Sequence, residues 1–346
     1  MLKYTYHYNY NYTLSGYLYE KRHGFSPCAA RIKELTILSS KTIFYIVKRV
    51  LLAMFTILFV ITITFFAMKA VPGGPFMSEK AVSQEVQAAL EKKYGLDKPV
   101  FEQYTTYLKD IVTEFDFGPS IKQRGRDVTE IITDGMRTSI PLGLCAAGIA
   151  LIFGVVLGSS AALRRNTVYD KGIMVTMTAF VSMPSFIMGT LLLLLFAVTL
   201  QWLPANGTTT AGLILPIIAL SLSPMAHITR LTRSSMLDVL GQDYVRTAKA
   251  KGVSGTKIIF GHALKNSLIP VITYFGPMLA YIVTGSLVVE KIFAVPGIGR
   301  TFVSSITDRD YPVIMGTTIV LATLIVLMNL VSDILYKVVD PRINLE

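Results

Sequence analysis

The chain reads as an all-helical integral membrane protein with six transmembrane helices, and three observations carry that reading. Hydrophobic residues fill 52% of 346 positions and charged residues 16%, with a mean hydropathy of +0.53. Ordinary soluble domains carry about 25% charged residues. Apolar runs long enough to span a bilayer recur along the chain, each near the roughly 20 helical residues that its hydrocarbon core requires. Lys and Arg gather in alternate connections between those runs.

The net charge of +11 does not point to nucleic acid. The basic residues flank apolar runs instead of forming an aromatic-interleaved patch, so lipid bilayer is the expected surroundings. Cys28 and Cys145 fall in a basic tail and an apolar run. They give neither a disulfide framework nor metal-ligand spacing.

Residues 1–40 are Tyr-rich (Tyr4, Tyr6, Tyr8, Tyr10, Tyr12) and polar, without helical or strand periodicity. The charged stretch is too long for a signal peptide, and no cleavage site follows the first apolar run. Two readings stand: an N-terminal cytoplasmic extension of unknown role, or a misassigned start codon.

The first span covers about 42–68, within a segment 41–71. A segment 72–136 separates it from a core of five further spans over 137–340. The second span, 138–163, contains no charged residue. Residues 172–229 likewise lack Asp, Glu, Lys and Arg. That length is about two spans, punctuated by Trp202-Leu-Pro-Ala-Asn-Gly207, so it reads as two helices around a tight turn. The fifth and sixth spans are 266–289 and about 311–332.

Orientation follows from the basic residues. Residues 1–49 hold eight Lys/Arg against two acids, and 230–265 holds seven against two. The link after the second span carries Arg164, Arg165 and Lys171. By contrast 72–136 has eight basic and eleven acidic residues, 200–211 has no charge, and 290–310 is balanced. Six spans with both termini cytoplasmic satisfy every connection.

The segment 72–136 is large enough for a small extracytoplasmic lobe. Helical periodicity appears over 83–93, 101–115 and 127–136, with Leu90, Tyr104, Tyr107, Leu108, Ile111 and Val112 as apolar-face candidates. The lobe reads either as a platform for a binding partner or as a lid over the helix ends. Residues 290–310, with Pro296 and two glycines, read as an irregular turn at the external mouth. Pro141, Pro184, Pro216, Pro224, Pro270 and Pro277 recur inside the spans and read individually as ordinary membrane-helix kinks.

The most distinctive stretch is 241–270, GQDYVRTAKAKGVSGTKIIFGHALKNSLIP, within the connection 230–265. Basic residues alternate with small ones (Ala248, Ala250, Gly252, Gly255, Gly261, Ala263). It reads as two short helices hinged at Gly252, with Ser254 capping the second. Small residues on a helical hairpin admit another backbone closely, so the loop looks built to dock into a partner.

Here the sequence resembles a family. Arg246-Thr-Ala248, three residues, then Gly252 is similar to the EAA signature of bacterial ABC importer permeases. Arg246 and Thr247 replace the usual Glu and Ala, and Lys265 stands where the motif ends in Pro. Those departures match the oligopeptide/dipeptide subgroup. The resemblance runs from about Lys41 to the C-terminus. It takes in Pro72-Gly-Gly-Pro75, Tyr94-Gly-Leu-Asp-Lys-Pro99, Met183-Pro-Ser-Phe186, Trp202-Leu-Pro204, Val295-Pro-Gly-Ile-Gly-Arg300, Asp310-Tyr-Pro312 and Asp340-Pro-Arg342.

The resemblance implies a type I ABC importer permease fold with a cytoplasmic coupling-helix loop, in a bacterial inner or plasma membrane. The implied partners are a second homologous permease forming a heterodimer, two cytoplasmic ABC ATPases and an extracytoplasmic peptide-binding protein. The implied coupling residues are Asp243, Tyr244, Arg246, Thr247, Ala248, Lys249, Ala250, Gly252, Ser254, Lys257 and His262. The implied cargo is oligopeptides or dipeptides, with nickel and glutathione as other solutes carried in the family.

The residues themselves suggest no enzyme. No Gly-Lys dipeptide occurs, so no Walker A cradle can form. His7, His23, His227 and His262 are scattered, and no nucleophile–base set stands out. No catalytic, cofactor or metal residue is expected. Ion-coupled secondary transport is the competing reading, but such proteins keep ionisable groups at mid-membrane, and 172–229 has no Asp, Glu, Lys or Arg. A structural or signalling subunit would explain six spans but not the elaborate loop.

Overall fold

A computed structural model describes residues 40–71, 92 and 95–339. The chain divides into two units, with the boundary between Met54 and Phe55. The described part of the first is the opening of helix α1 (Ser40–Ala70). The second holds everything that follows. The expected helix at 83–93, the tail 1–39 and Leu90 lie outside the described residues.

Among the described residues, five helices are long and apolar enough to cross a membrane: Val47–Ala70, Val128–Leu163, Ala211–Leu240, Ile269–Ile292 and Tyr311–Ser332. A bent pair, α4 (Val168–Ser182) and α5 (Ser185–Leu192, continuing as a π-helix over Leu193–Thr199), turns by 106° and makes a sixth crossing if the two halves are one span. The cause is Pro184, which makes the preceding residue extended, with Met183 at φ −90°, ψ 126°. Pro184 therefore breaks its span, where the sequence suggested only a kink. Pro141, Pro224 and Pro277 stay inside continuous helices, and Pro270 sits in a first turn, where its missing N–H costs little.

Helix α2 (Val100–Glu114) lies across the end of α1. Its Tyr104, Tyr107, Leu108 and Ile111 pack against Ile61, Phe65, Met315 and Ile319, while Val112 points outward, 73% exposed. Burial and the nearby Asp116 charge push the Tyr107 phenol up from its ordinary pKa. The third expected lobe helix is not separate. Residues 127–136 form the start of α3 (Val128–Leu163), a single 36-residue helix. At 1.5 Å per residue it is about 54 Å long, so it outruns a hydrocarbon core of about 30 Å. No helix boundary separates lobe from core at 136/137.

Helices α3 and α6 (Ile214–Leu240) form the centre of the bundle. Small residues let them touch. A Cβ on Gly154 would stand 2.6 Å from the Ile228 side chain, and one on Gly158 would stand 2.5 Å from the Thr229 carbonyl oxygen. Without a hydrophobic drive between helices in lipid, such close packing is the main source of association. Around them lie Met177 of α4 and Val271, Met278 and Ile282 of α8 (Ile269–Val283). The turn at 202–207 forms as expected, and its Gly207 N–H donates to the Phe293 carbonyl at 2.6 Å.

The segment 290–310 is mostly helical: the end of α9 (Leu287–Ile292), then α10 (Ile298–Asp308). It is not an irregular turn. Helix α11 (Tyr311–Val339) follows at once. Its preceding residue, buried Asp310, accepts hydrogen bonds from the Ser120 hydroxyl and from the N–H groups of Ile121 (3.1 Å) and Lys122 (3.2 Å). That carboxylate ties the 118–127 loop to the start of the last span.

Candidate functional site

The connection between α6 and α8 is fully structured. Helix α7 (Asp243–Ala250) starts one residue after Gly241–Gln242. Its chain end closes on Gly252, whose φ of +76° is the left-handed conformation that glycine adopts without strain. The Gly252 N–H donates to the Lys249 carbonyl (3.0 Å) and the Val253 N–H to the Ala248 carbonyl (3.2 Å). That pair of bonds is a Schellman cap, so the predicted hinge is a helix terminator of defined geometry.

A second arm then runs back. A turn at Gly255–Lys257 leads into a π-helix, Ile258–Leu264, and a turn at Lys265–Ser267. Ser254 occupies the N-cap position, but its side chain makes no capping hydrogen bond. The predicted cap is right in place and absent in chemistry. The Asn266 amide donates to the Tyr244 hydroxyl at 2.9 Å and joins the two arms.

Three apolar residues of the loop are buried, and the sequence marks only Ala263 among them, as a small residue. Val245 and Ile258 are buried, and Ala263 packs with Ala162 of α3 and Met236 of α6. Val245 had a local signal, as the apolar residue of a basic helix, whereas Ile258 is followed by Ile259 and Phe260 and nothing local distinguishes it. The charged residues of the loop face outward. Asp243, Tyr244, Arg246, Thr247, Lys249, Ala250, Gly252, Ser254, Lys257 and His262 are exposed, and Ala248 is half-buried. Arg246 reaches Asp243 at 3.5 Å, but both are largely solvated, so this pair contributes little. Phe260 is 65% exposed beside His262. The loop therefore offers a basic, small-residue surface on an anchored base.

Beneath the loop, Arg233 of α6 grips Asp170 in the first turn of α4. Its Nε and Nη2 donate to the two carboxylate oxygens at 2.6 and 2.7 Å. The Asn166 N–H adds a bond to Asp170 at 2.9 Å, and the Thr167 hydroxyl caps α4. Asp170 was missed because its neighbours Arg164, Arg165 and Lys171 drew attention as a basic link. A lone acid among them was the clue.

Toward the other end of α3, buried Glu290 is surrounded by donors. The Ser139 hydroxyl donates at 2.8 Å, the Gly299 N–H at 2.9 Å and the Arg300 N–H at 3.2 Å. Where α1, α2 and α11 meet, a cavity of about 320 Å³ is bounded by Phe65, Lys69, Tyr107, Asp110, Tyr311 and Met315 among others. Among the described residues, no three His, Cys, Asp or Glu side chains converge as metal ligands would.

Comparison with known proteins gives these features a family. The family described as binding-protein-dependent transport system inner membrane component matches residues 154–345, and its N-terminal counterpart matches 42–125. The dipeptide transport system permease protein DppB of Bacillus subtilis is 50% identical over 302 residues, 87% of this chain and 98% of its own. The oligopeptide transport system permease protein OppB of Haemophilus influenzae is 43% identical over 303 residues, 87% and 99% of the two chains. A solved structure titled as inward-facing conformations of the MetNI methionine ABC transporter superposes with a TM-score of 0.50 at 15% identity. It covers 61% of this chain and 97% of its own, and shows a shared fold. With more than half of its residues matched and relatives spanned almost end to end, the chain belongs to the family of binding-protein-dependent transport system inner membrane components.

Proposed function

We propose that this chain is a permease subunit of an ATP-driven importer that moves peptides into the cell. The observation that carries the reading is the 241–268 loop: exposed, basic, small-residued, and held to Ala162 of α3 and Met236 of α6 by Ala263 and Ile259. A surface so anchored can transmit force from a docked partner. Peptide cargo is supported by the names of relatives at 50% and 43% identity, which are dipeptide and oligopeptide permeases.

In this reading the loop lies in the cytoplasm with both termini, as the Lys and Arg distribution favours. Two ATPases dock on it, one per permease, and the second permease is a homologue forming a heterodimer. A peptide-binding protein delivers cargo from outside. Exposed residues of α7 and the second arm, including Arg246, Thr247, Lys249, Gly252 and Lys257, make the ATPase contact. Closure of the ATPases on nucleotide moves the loop, and α6 and α8 turn the pathway between inward- and outward-open by rigid-body motion. This chain supplies no phosphate chemistry of its own.

The test is assembly. A tagged complex expressed with both ATPases should retain them on the wild-type permease and lose them when Arg246, Lys249 and Lys257 are replaced together by Glu. Equal retention by the triple variant would remove the loop from the interface.

A further inference from the structure

The Asp170–Arg233 pair joins two elements whose relative motion the proposed function requires. Arg233 lies on α6 two turns before the helix ends at Leu240, where the docking loop begins. Asp170 opens α4, the first half of the crossing that Pro184 bends by 106°. The Asp170 side chain is 3% exposed and Arg233 24%, and both guanidinium–carboxylate bonds are short.

Gly158 of α3 stands hard against Thr229 and Thr232 of α6, so the two helices form one close-packed body. The loop grips that body through Ala263 and Ile259 against Ala162 and Met236. Farther along α4, Ile173, Met177, Phe180 and Val181 make only apolar contacts with the core. Apolar surfaces in a membrane fix register weakly, because lipid tails offer the same contacts. A bidentate ion pair fixes distance and angle together, and a buried one resists separation because each charge would be left unpaired.

We propose that the Asp170–Arg233 pair is the strut that carries displacement of the docking loop into the bent crossing α4–α5. It is a positioning pair. The inference rests on the docking reading above, and its failure is separable from failure of that reading.

The experiment uses the full complex, both permeases with both ATPases, in proteoliposomes supplied with binding protein and a radiolabelled tripeptide. Tripeptide uptake and ATP hydrolysis are measured together for the wild type, Asp170→Asn and Asp170→Glu at matched amounts of assembled complex. Asp170→Asn should keep its ATPases and hydrolyse ATP within twofold of wild type, while peptide moved per ATP falls at least tenfold. Asp170→Glu, which keeps the carboxylate, should stay within threefold. An unchanged ratio in Asp170→Asn overturns the strut. So does a loss in Asp170→Glu as large as in Asp170→Asn, or an uptake deficit fully explained by less assembled complex. Absence of ATPases from the wild-type complex would remove the docking reading, and the strut with it.

Discussion

Ser139 and Glu290 are 151 residues apart in the chain and share a hydrogen bond of 2.8 Å. The Ser139 hydroxyl donates to Glu290 while accepting from the Ile298 N–H at 2.9 Å. Glu290 also takes the N–H groups of Gly299 and Arg300 in the first turn of α10. One buried carboxylate thus satisfies the free donors of a helix start and pins the 287–300 segment to α3.

Loss of either partner should therefore destabilise the fold, and unequally. Ser139→Ala removes one donor to Glu290 and strands the Ile298 N–H, and it should cost about 1–3 kcal/mol, the usual range for a broken buried pair. Glu290→Ala strands two backbone N–H groups as well, so its cost should be larger. Thermal unfolding in detergent measures both. A neutral Glu290→Ala would show that the carboxylate is not what holds this segment.

Helix contact at Gly158 gives a prediction of opposite signs. A methyl there meets the Thr229 carbonyl at 2.5 Å, whereas a methyl on Gly148 of the same helix meets nothing within 4 Å. Gly158→Ala should destabilise by about 1–3 kcal/mol through overpacking. Gly148→Ala should be neutral or stabilise by up to about 1 kcal/mol, since alanine is the better helix former. Equal effects on detergent melting temperature would contradict the close α3–α6 approach.

Gly252 separates backbone strain from partner contact. Its φ is +76° and the space around its Cβ position is open within this chain. Any ordinary side chain incurs about 1–2 kcal/mol of left-handed strain, and Asn incurs less. Gly252→Asn should keep transport near wild type. Gly252→Ala and Gly252→Leu carry the same strain, so a further loss of ATPase co-purification in Leu alone reports a partner surface there. Full retention of ATPases and uptake in Gly252→Leu would show that no partner packs at this position.

Orientation is open to chemical labelling. In a background lacking Cys28 and Cys145, a cysteine at exposed Thr209 should react with an impermeant thiol reagent in intact cells. A cysteine at exposed Ser254 should not. Equal labelling at the two sites would overturn the cytoplasmic placement of the loop.

The sequence made the spans legible because bilayer thickness imposes a length that composition can meet or miss. The loop was equally legible, since Gly252 and the basic, small-residue alternation are local signals. What sequence reading misjudged depends on partners distant in the chain. Pro184 looked like five other prolines, and only its surroundings decide between a kink and a 106° break. Residues 127–136 carried helical periodicity but no mark that they continue into 138–163, because Pro141 is tolerated within the helix. Asp170 and Arg233 lie 63 residues apart, Ser139 and Glu290 farther still, and no periodicity announces such pairs.

The account depends most on the energy source. Proteoliposomes holding the full complex should take up a radiolabelled tripeptide only with ATP and binding protein present, and a proton ionophore should leave that uptake unchanged. Uptake by this chain without the ATPases, driven by an imposed proton gradient and abolished by the ionophore, would contradict it.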